Sequence, residues 1–392
     1  MIYLLCFGAS VLFAFFAKKS KNRALFLAFS LISILFPTVL AGCRDYSIGI
    51  DVKNYLTLNR YWQGATVAGS LWEYVRNSFI SGKIEPLFSL LMGAVAQTVG
   101  NYRVFLVLVH LIIISGMYIG AFRQKDHVDP VLVLTLFYLI FFHHSLNIMR
   151  QYMAMAIIFA FLKDVELKRY IRFGIVVIIA TLIHSTAILA FGTIAIHLVL
   201  YGNYKIGGIK LGKRTYGTLY SPDITARKRF IVYVMGSGVI VFLPLCRILL
   251  DIGILGERYR YFLSGRGASY ALIVTALLVM ELSVVFLFRK QMKKKSDYSD
   301  FFIISSIVYL LMIQLTGSIV FGKRIAAYYA FHNLLTIGLL DKSFEDKNKL
   351  LKWSVRIGIL VIALGYWYYF YVLRNASQTY PYVLGLIDGS LL

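Results

Sequence analysis

The chain has 392 residues, 59% of them hydrophobic and only 15% charged, with a mean hydropathy of +0.73. That balance excludes a soluble globular domain and belongs to polytopic helical membrane proteins. The 41 basic and 18 acidic residues give a formal charge of +23; in a membrane chain this reads as a bias between the two sides of the bilayer, and no nucleic-acid partner is expected.

The apolar runs lack a period of two, which suits spanning helices of roughly 20 residues rather than an outer-membrane barrel. The first, 2–17, carries its positive charges behind it at Lys18, Lys19, Lys21 and Arg23. This is the reverse of a signal peptide, so a retained span with an outer N-terminus is expected. Six basic clusters, 18–23, 123–125, 163–172, 205–229, 289–295 and 342–352, hold 26 of the 41 basic residues and are assigned to the cytoplasm. Spans then fall at 2–17, 24–41, 103–122, 130–143, 146–162, 171–183, 186–200, 230–250, 268–288, 301–320, 324–340 and 353–372. The expected fold is an all-α polytopic membrane protein of about twelve transmembrane helices in one domain, 1–392, with both termini outside.

Two positions are settled by parity. The apolar stretch 173–201 is split at His184-Ser185, where Ser185 can cap a second helix. The segment 86–99 is too short to cross and is read as re-entrant or interfacial. The outer region 42–102 then contains the charged passage from Arg44 to Tyr55 and an amphipathic stretch around Trp72, and it is expected to roof a cavity. A second outer loop covers 251–267.

With that topology the outer polar residues include Arg44, Asp45, Asp51, Glu85, Asn147, Arg150, Gln151, His184, Arg258, Arg260, Lys323 and Arg324. Asn147, Arg150 and Gln151 share one helical face by their spacing. A cation in a first helical turn opposes the macrodipole by a few tenths to about 1 kcal/mol. For Arg150, and for Lys323-Arg324, two readings stand: an interfacial anchor, or a fork that holds phosphate. His184 is either a satisfied structural histidine or a base. Positive-inside bias disfavours these cations on the outer side, so a pyrophosphate at the outer leaflet is the proposed anion.

Other signals carry less. Gly207 to Arg214 nearly spells a phosphate-binding loop, but Arg214 stands where Ser or Thr is needed. There is no Asp-x-Asp pair and no His/Cys spacing for a metal, and Cys6, Cys43 and Cys246 form no framework. No cofactor or metal is expected.

The chain resembles the Wzy-type O-antigen polymerases and, more closely, the EpsG-like exopolysaccharide polymerases. The ordered landmarks are Arg44 through Asp51 to Tyr55, Glu85-Pro86-Leu87-Phe88, Asn147-Ile148-Met149-Arg150-Gln151, His184-Ser185-Thr186-Ala187 and Gly322-Lys323-Arg324. The chain departs from the pattern at Ile50, where a Thr is common before the Asp. The resemblance implies a GT-C-like glycosyltransferase in the bacterial inner membrane with its site facing the periplasm. Its substrate would be undecaprenyl-pyrophosphate-linked oligosaccharide, transferred onto the next lipid-linked unit, with membrane lipids and a chain-length regulator as further partners. Arg150, Arg324 and Arg44 would hold pyrophosphate, His184 or Asp51, and after them Glu85 or Asp45, would serve as base, and Asp51 and Tyr55 would orient the acceptor. Competing readings are an O-antigen ligase and a twelve-helix flippase lined by charges such as Glu281.

Overall fold

The computed structural model describes residues 1–58, 60–82, 84–202, 209–211, 214–216, 224–252, 268–317, 322–346 and 349–385. Within what the sequence reads as one membrane domain there are two compact units, Met1–Ile188 with Phe344–Leu392, and Leu189–Ser343.

The first unit contains α1 (Ile2–Lys19), α2 (Arg23–Gly42), α3 (Ile50–Lys53), a π-helical turn (Asn54–Leu58), α4 (Tyr61–Val67), α5 (Leu71–Ile80) and α6 (Pro86–Thr98). It continues with α7 (Tyr102–Arg123), α8 (Pro130–Ile140), α9 (Phe142–Ser145), α10 (Met149–Glu166) and α11 (Tyr170–Thr181). Local signals place the starts. Asn22, Asn101 and Asp129 cap α2, α7 and α8 through their side-chain oxygens. Ser70 accepts from the Glu73 N–H at the start of α5, the serine half of a capping box. Pro86 and Pro130 occupy first turns, where a missing N–H costs nothing.

The second unit contains α12 (Phe191–Tyr201), two short antiparallel strands β1 (Ile209–Leu211) and β2 (Arg214–Tyr216), α13 (Ile224–Asp251), α14 (Ala268–Lys295), α15 (Ser299–Ile313) and α16 (Gly322–Lys342). Helix α17 (Lys349–Trp367) returns to the first unit and ends in a π-helical turn, Tyr368–Leu373.

Among the described residues each expected span lies mainly on helix, with 318–320 of the span 301–320 outside them, and the chain breaks at His184-Ser185 as the polar pair indicates, with a 3-10 turn over Ser185–Ala190. The lengths differ from the expectation. Among the described residues, five helices are long and apolar enough to cross a membrane: Ile2–Lys19, Arg23–Gly42, Tyr102–Arg123, Leu272–Lys295 and Lys349–Leu373. Helices α8 and α11 have 11 and 12 residues and reach only about 16–18 Å at 1.5 Å per residue, against roughly 30 Å of hydrocarbon.

In the first unit α7 and α10 run parallel in intimate contact, with α2 and α11 on their flanks. Polar pairs cross-link the apolar body: Ser10 binds both Ser33 and Tyr138, joining α1, α2 and α8, and Ser30 meets Tyr118 at 2.7 Å. Such bonds tie helices together where hydrocarbon offers no hydrophobic drive.

At one end of this unit basic residues are stapled by the buried Asp164 and the half-buried Asp129. Arg123 forks onto Asp164 at 3.0 and 3.1 Å, and Lys18 and Arg356 both reach Asp129, at 2.9 and 3.0 Å. This leaves the C-terminus of α2 and the N-termini of α7 and α10 at the other end, where the sequence landmarks collect.

Candidate active site

Glu85 stands at the N-cap of α6, and its position is fixed by backbone. The Leu87 N–H donates to the Leu182 carbonyl at 2.9 Å, docking the start of α6 against the end of α11. The break after α11 therefore lies beside Glu85, and three donors converge on its carboxylate. His184 Nδ1 and the Ser185 N–H both reach Oε1 at 3.0 Å, and Arg150 Nη1 reaches Oε2 at 2.5 Å. Burial alone pushes the Glu85 carboxyl up, but the His184 hydrogen bond, the Arg150 charge and the Ser185 N–H outweigh it and bring the carboxyl down to about 2.

An ionised carboxylate only accepts, so His184 carries its hydrogen on Nδ1, and in the neutral ring Nε2 is an acceptor. That atom is buried and makes no hydrogen bond to any described residue. A carboxylate behind one ring nitrogen with the other nitrogen unengaged is the arrangement that orients a histidine base.

Arg150 lies in the first turn of α10, with its guanidinium 5.7 Å from the centre of the Tyr55 ring. Tyr55 is buried against Phe88 and Tyr61, with ring centres 5.5 and 5.9 Å away. Burial first, then the nearby Asp51 charge, hold its phenol well above the ordinary value. Asp51 itself caps α10, accepting the Met149 N–H at 2.9 Å. Helix α10 thus receives a negative charge at its positive end, which compensates Arg150 in the same turn.

Asn147 clasps two strands of chain: its Oδ1 accepts from the Ile50 N–H at 2.7 Å and its Nδ2 donates to the Ser377 carbonyl at 2.5 Å. Gly49 makes the close approach possible. It has φ +86°, and a Cβ there would lie 2.9 Å from the Leu146 carbonyl oxygen.

The other expected site residues are placed as follows. Gln151 is buried in the first turn of α10. Asp45 accepts the Ser47 N–H at 2.8 Å in a local turn. Arg44 is fully buried, and its guanidinium donates to the carbonyls of Ala41 and Leu146. Burial lowers it to about 10. Lys323 and Arg324 lie in the first turn of α16 in the second unit. Arg258 and Arg260 lie outside the described residues.

Residues 375–385 contribute what sequence reasoning missed. This segment folds back as a strap over the landmarks: Gly49 N–H donates to the Gln378 carbonyl, Asp45 N–H to Val383, and Gly385 N–H to Cys43. Thr379 joins it to the body, taking the Tyr3 hydroxyl on its carbonyl at 2.7 Å and pairing with His143 Nδ1 at 2.7 Å. A polar chain end gives no sequence signal of this role.

No curated protein and no solved structure matches the chain. The sequence does match the EpsG family over residues 27–384, which takes in every landmark above and the strap up to Leu384. The chain therefore belongs to the EpsG family, a membership that points to a membrane-embedded polysaccharide polymerase.

Proposed function

We propose that the protein extends a polysaccharide by transferring a polyprenyl-pyrophosphate-linked glycan onto the next lipid-linked repeat unit at the outer face of the membrane. The observation that supports this most is the unengaged His184 Nε2 backed by ionised Glu85. A buried acceptor without a partner costs about 1–3 kcal/mol, and a sugar hydroxyl supplies the missing donor.

In this reading the acceptor hydroxyl gives its proton to His184 Nε2 while its oxygen bonds to the anomeric carbon of the donor. The bond from that carbon to the pyrophosphate oxygen breaks, and the electron pair leaves with the pyrophosphate. Glu85 stabilises the imidazolium that forms. Arg150, one quarter exposed, supplies positive charge to the leaving group. Nε2 is closed to solvent in this conformation, which keeps water from competing; binding of the acceptor must open it.

The test is purified protein in detergent with one defined lipid-linked repeat unit. A ladder of longer glycans, accompanied by release of polyprenyl pyrophosphate and lost in His184→Ala, is expected. An unchanged ladder in that variant overturns the assignment, and transfer to a different acceptor without chain growth would make the protein a ligase.

A further inference from the structure

A cavity of about 410 Å³ opens between α13, α14 and α15 of the second unit. Its lining divides by chemistry. Five cations line it, Lys228, Arg229, Arg289, Lys290 and Lys293, against one carboxylate, Asp300, which is already paired with Lys228. Arg229, Arg289, Lys290 and Lys293 are exposed and make no ion pair or hydrogen bond with any described residue. The remaining wall is largely apolar, with Ile303 and Ile304 buried and Ile307 and Val232 half-buried.

Cations that only anchor a helix at the interface spread outward into the headgroup layer. Here they converge on one cavity, and their mutual repulsion calls for an anion. Free phosphate would answer the cations but leave the isoleucine wall wet. An amphiphile answers both, and the location fits one: α14 contains a stretch, Leu272–Lys295, long and apolar enough to cross the membrane, and the cavity lies at its basic end. Basic pockets between membrane helices take anionic lipid headgroups.

We propose that this cavity binds an anionic phospholipid of the surrounding bilayer. Its phosphate lies among Arg229, Arg289, Lys290 and Lys293, and its first acyl segment lies against Ile303 and Ile304. The assignment is independent of the polymerase chemistry.

The test uses the full chain in phosphatidylcholine nanodiscs doped with spin-labelled phosphatidylglycerol or spin-labelled phosphatidylcholine. Preferential immobilisation of phosphatidylglycerol is expected, with affinity reduced about tenfold or more in the triple variant Arg289→Gln, Lys290→Gln, Lys293→Gln. Ile307→Trp, which fills the apolar wall and leaves the cations intact, should also weaken binding. Inorganic phosphate at about ten millimolar should not displace the lipid; this comparison needs only the native chain. Equal immobilisation of the two lipids by the native protein, an unaltered affinity in the triple variant, or displacement by inorganic phosphate overturns the proposal.

Discussion

His184 Nδ1 donates to Glu85 Oε1 at 3.0 Å, a bond between residues 99 positions apart. It fixes the tautomer of the ring and therefore which nitrogen faces a substrate. His184→Ala removes the base and should lower turnover by about 10² to 10⁴-fold with the protein still in the membrane. Glu85→Gln keeps the shape and an acceptor oxygen, but it loses the charge that stabilises an imidazolium and pairs with Arg150. Its loss should be smaller and should fall on kcat rather than KM. If Glu85→Gln raises KM alone, the carboxylate binds substrate and does not support His184.

The same carboxylate predicts a pH dependence of stability. Its pKa is about 2 in the fold against an ordinary 4.5. The stabilisation is therefore complete above about pH 4.5 and is lost as the pH falls toward 2. Allowing for partial solvent screening, it amounts to something on the order of 2 kcal/mol. Native protein should lose thermal stability over that acid window more steeply than Glu85→Gln, and the difference between the two should be constant above pH 5. Parallel curves from pH 5 to 2 would show that Glu85 is not held ionised.

Gly49 and Asn147 form the clasp that holds the charged passage against α10. Gly49→Ala places a Cβ against the Leu146 carbonyl in a backbone conformation that L residues rarely adopt. A cost of about 1–3 kcal/mol is expected. Asn147→Ala releases the Ile50 N–H and the Ser377 carbonyl together. Both variants should lower the unfolding temperature in detergent and reduce chain growth while membrane insertion persists. An unchanged melting temperature in Gly49→Ala would mean that the loop relaxes at no cost.

Much of this was legible in the chain. Apolar runs announce helices, and the polar pair His184-Ser185 announces the break between two of them. The landmarks at Glu85, Arg150 and His184 could be named from residue type and order, but their mutual contacts could not, because they depend on the docking of Leu87 onto Leu182 across 95 residues of sequence. Arg44 shows a different limit. An arginine after an apolar run reads as an outer cation, yet its guanidinium is buried on the local Ala41 carbonyl and on the Leu146 carbonyl, which only the folded chain brings near. Helix lengths differ for a related reason: the expected spans end at 143 and restart at 146, whereas α8 stops at Ile140 and α10 starts at Met149, with the short α9 between them.

The spacing of Gly116 and Gly120 on α7 carries a further prediction. A Cβ at Gly116 would lie 2.6 Å from the Ala156 carbonyl oxygen, and one at Gly120 would lie 2.3 Å from the Phe159 ring and 2.8 Å from its carbonyl oxygen. Small residues four apart let two membrane helices approach to backbone contact, and dispersion over that seam replaces the hydrophobic drive that lipid does not supply. At one end the seam is locked by Arg123 on Asp164; at the other, α10 presents Arg150 to Glu85. Widening it should therefore affect the site at a distance. Gly116→Val meets backbone that cannot step aside, whereas Gly120→Ala meets a ring that can rotate but also a carbonyl that cannot. The expected order of stability in detergent is native, then Gly120→Ala, then Gly116→Val. Polymerisation should fall in the same order, even though neither glycine lies near the carboxylate. Native-like stability together with full activity in Gly116→Val would show that α7 and α10 do not need this approach to place Arg150.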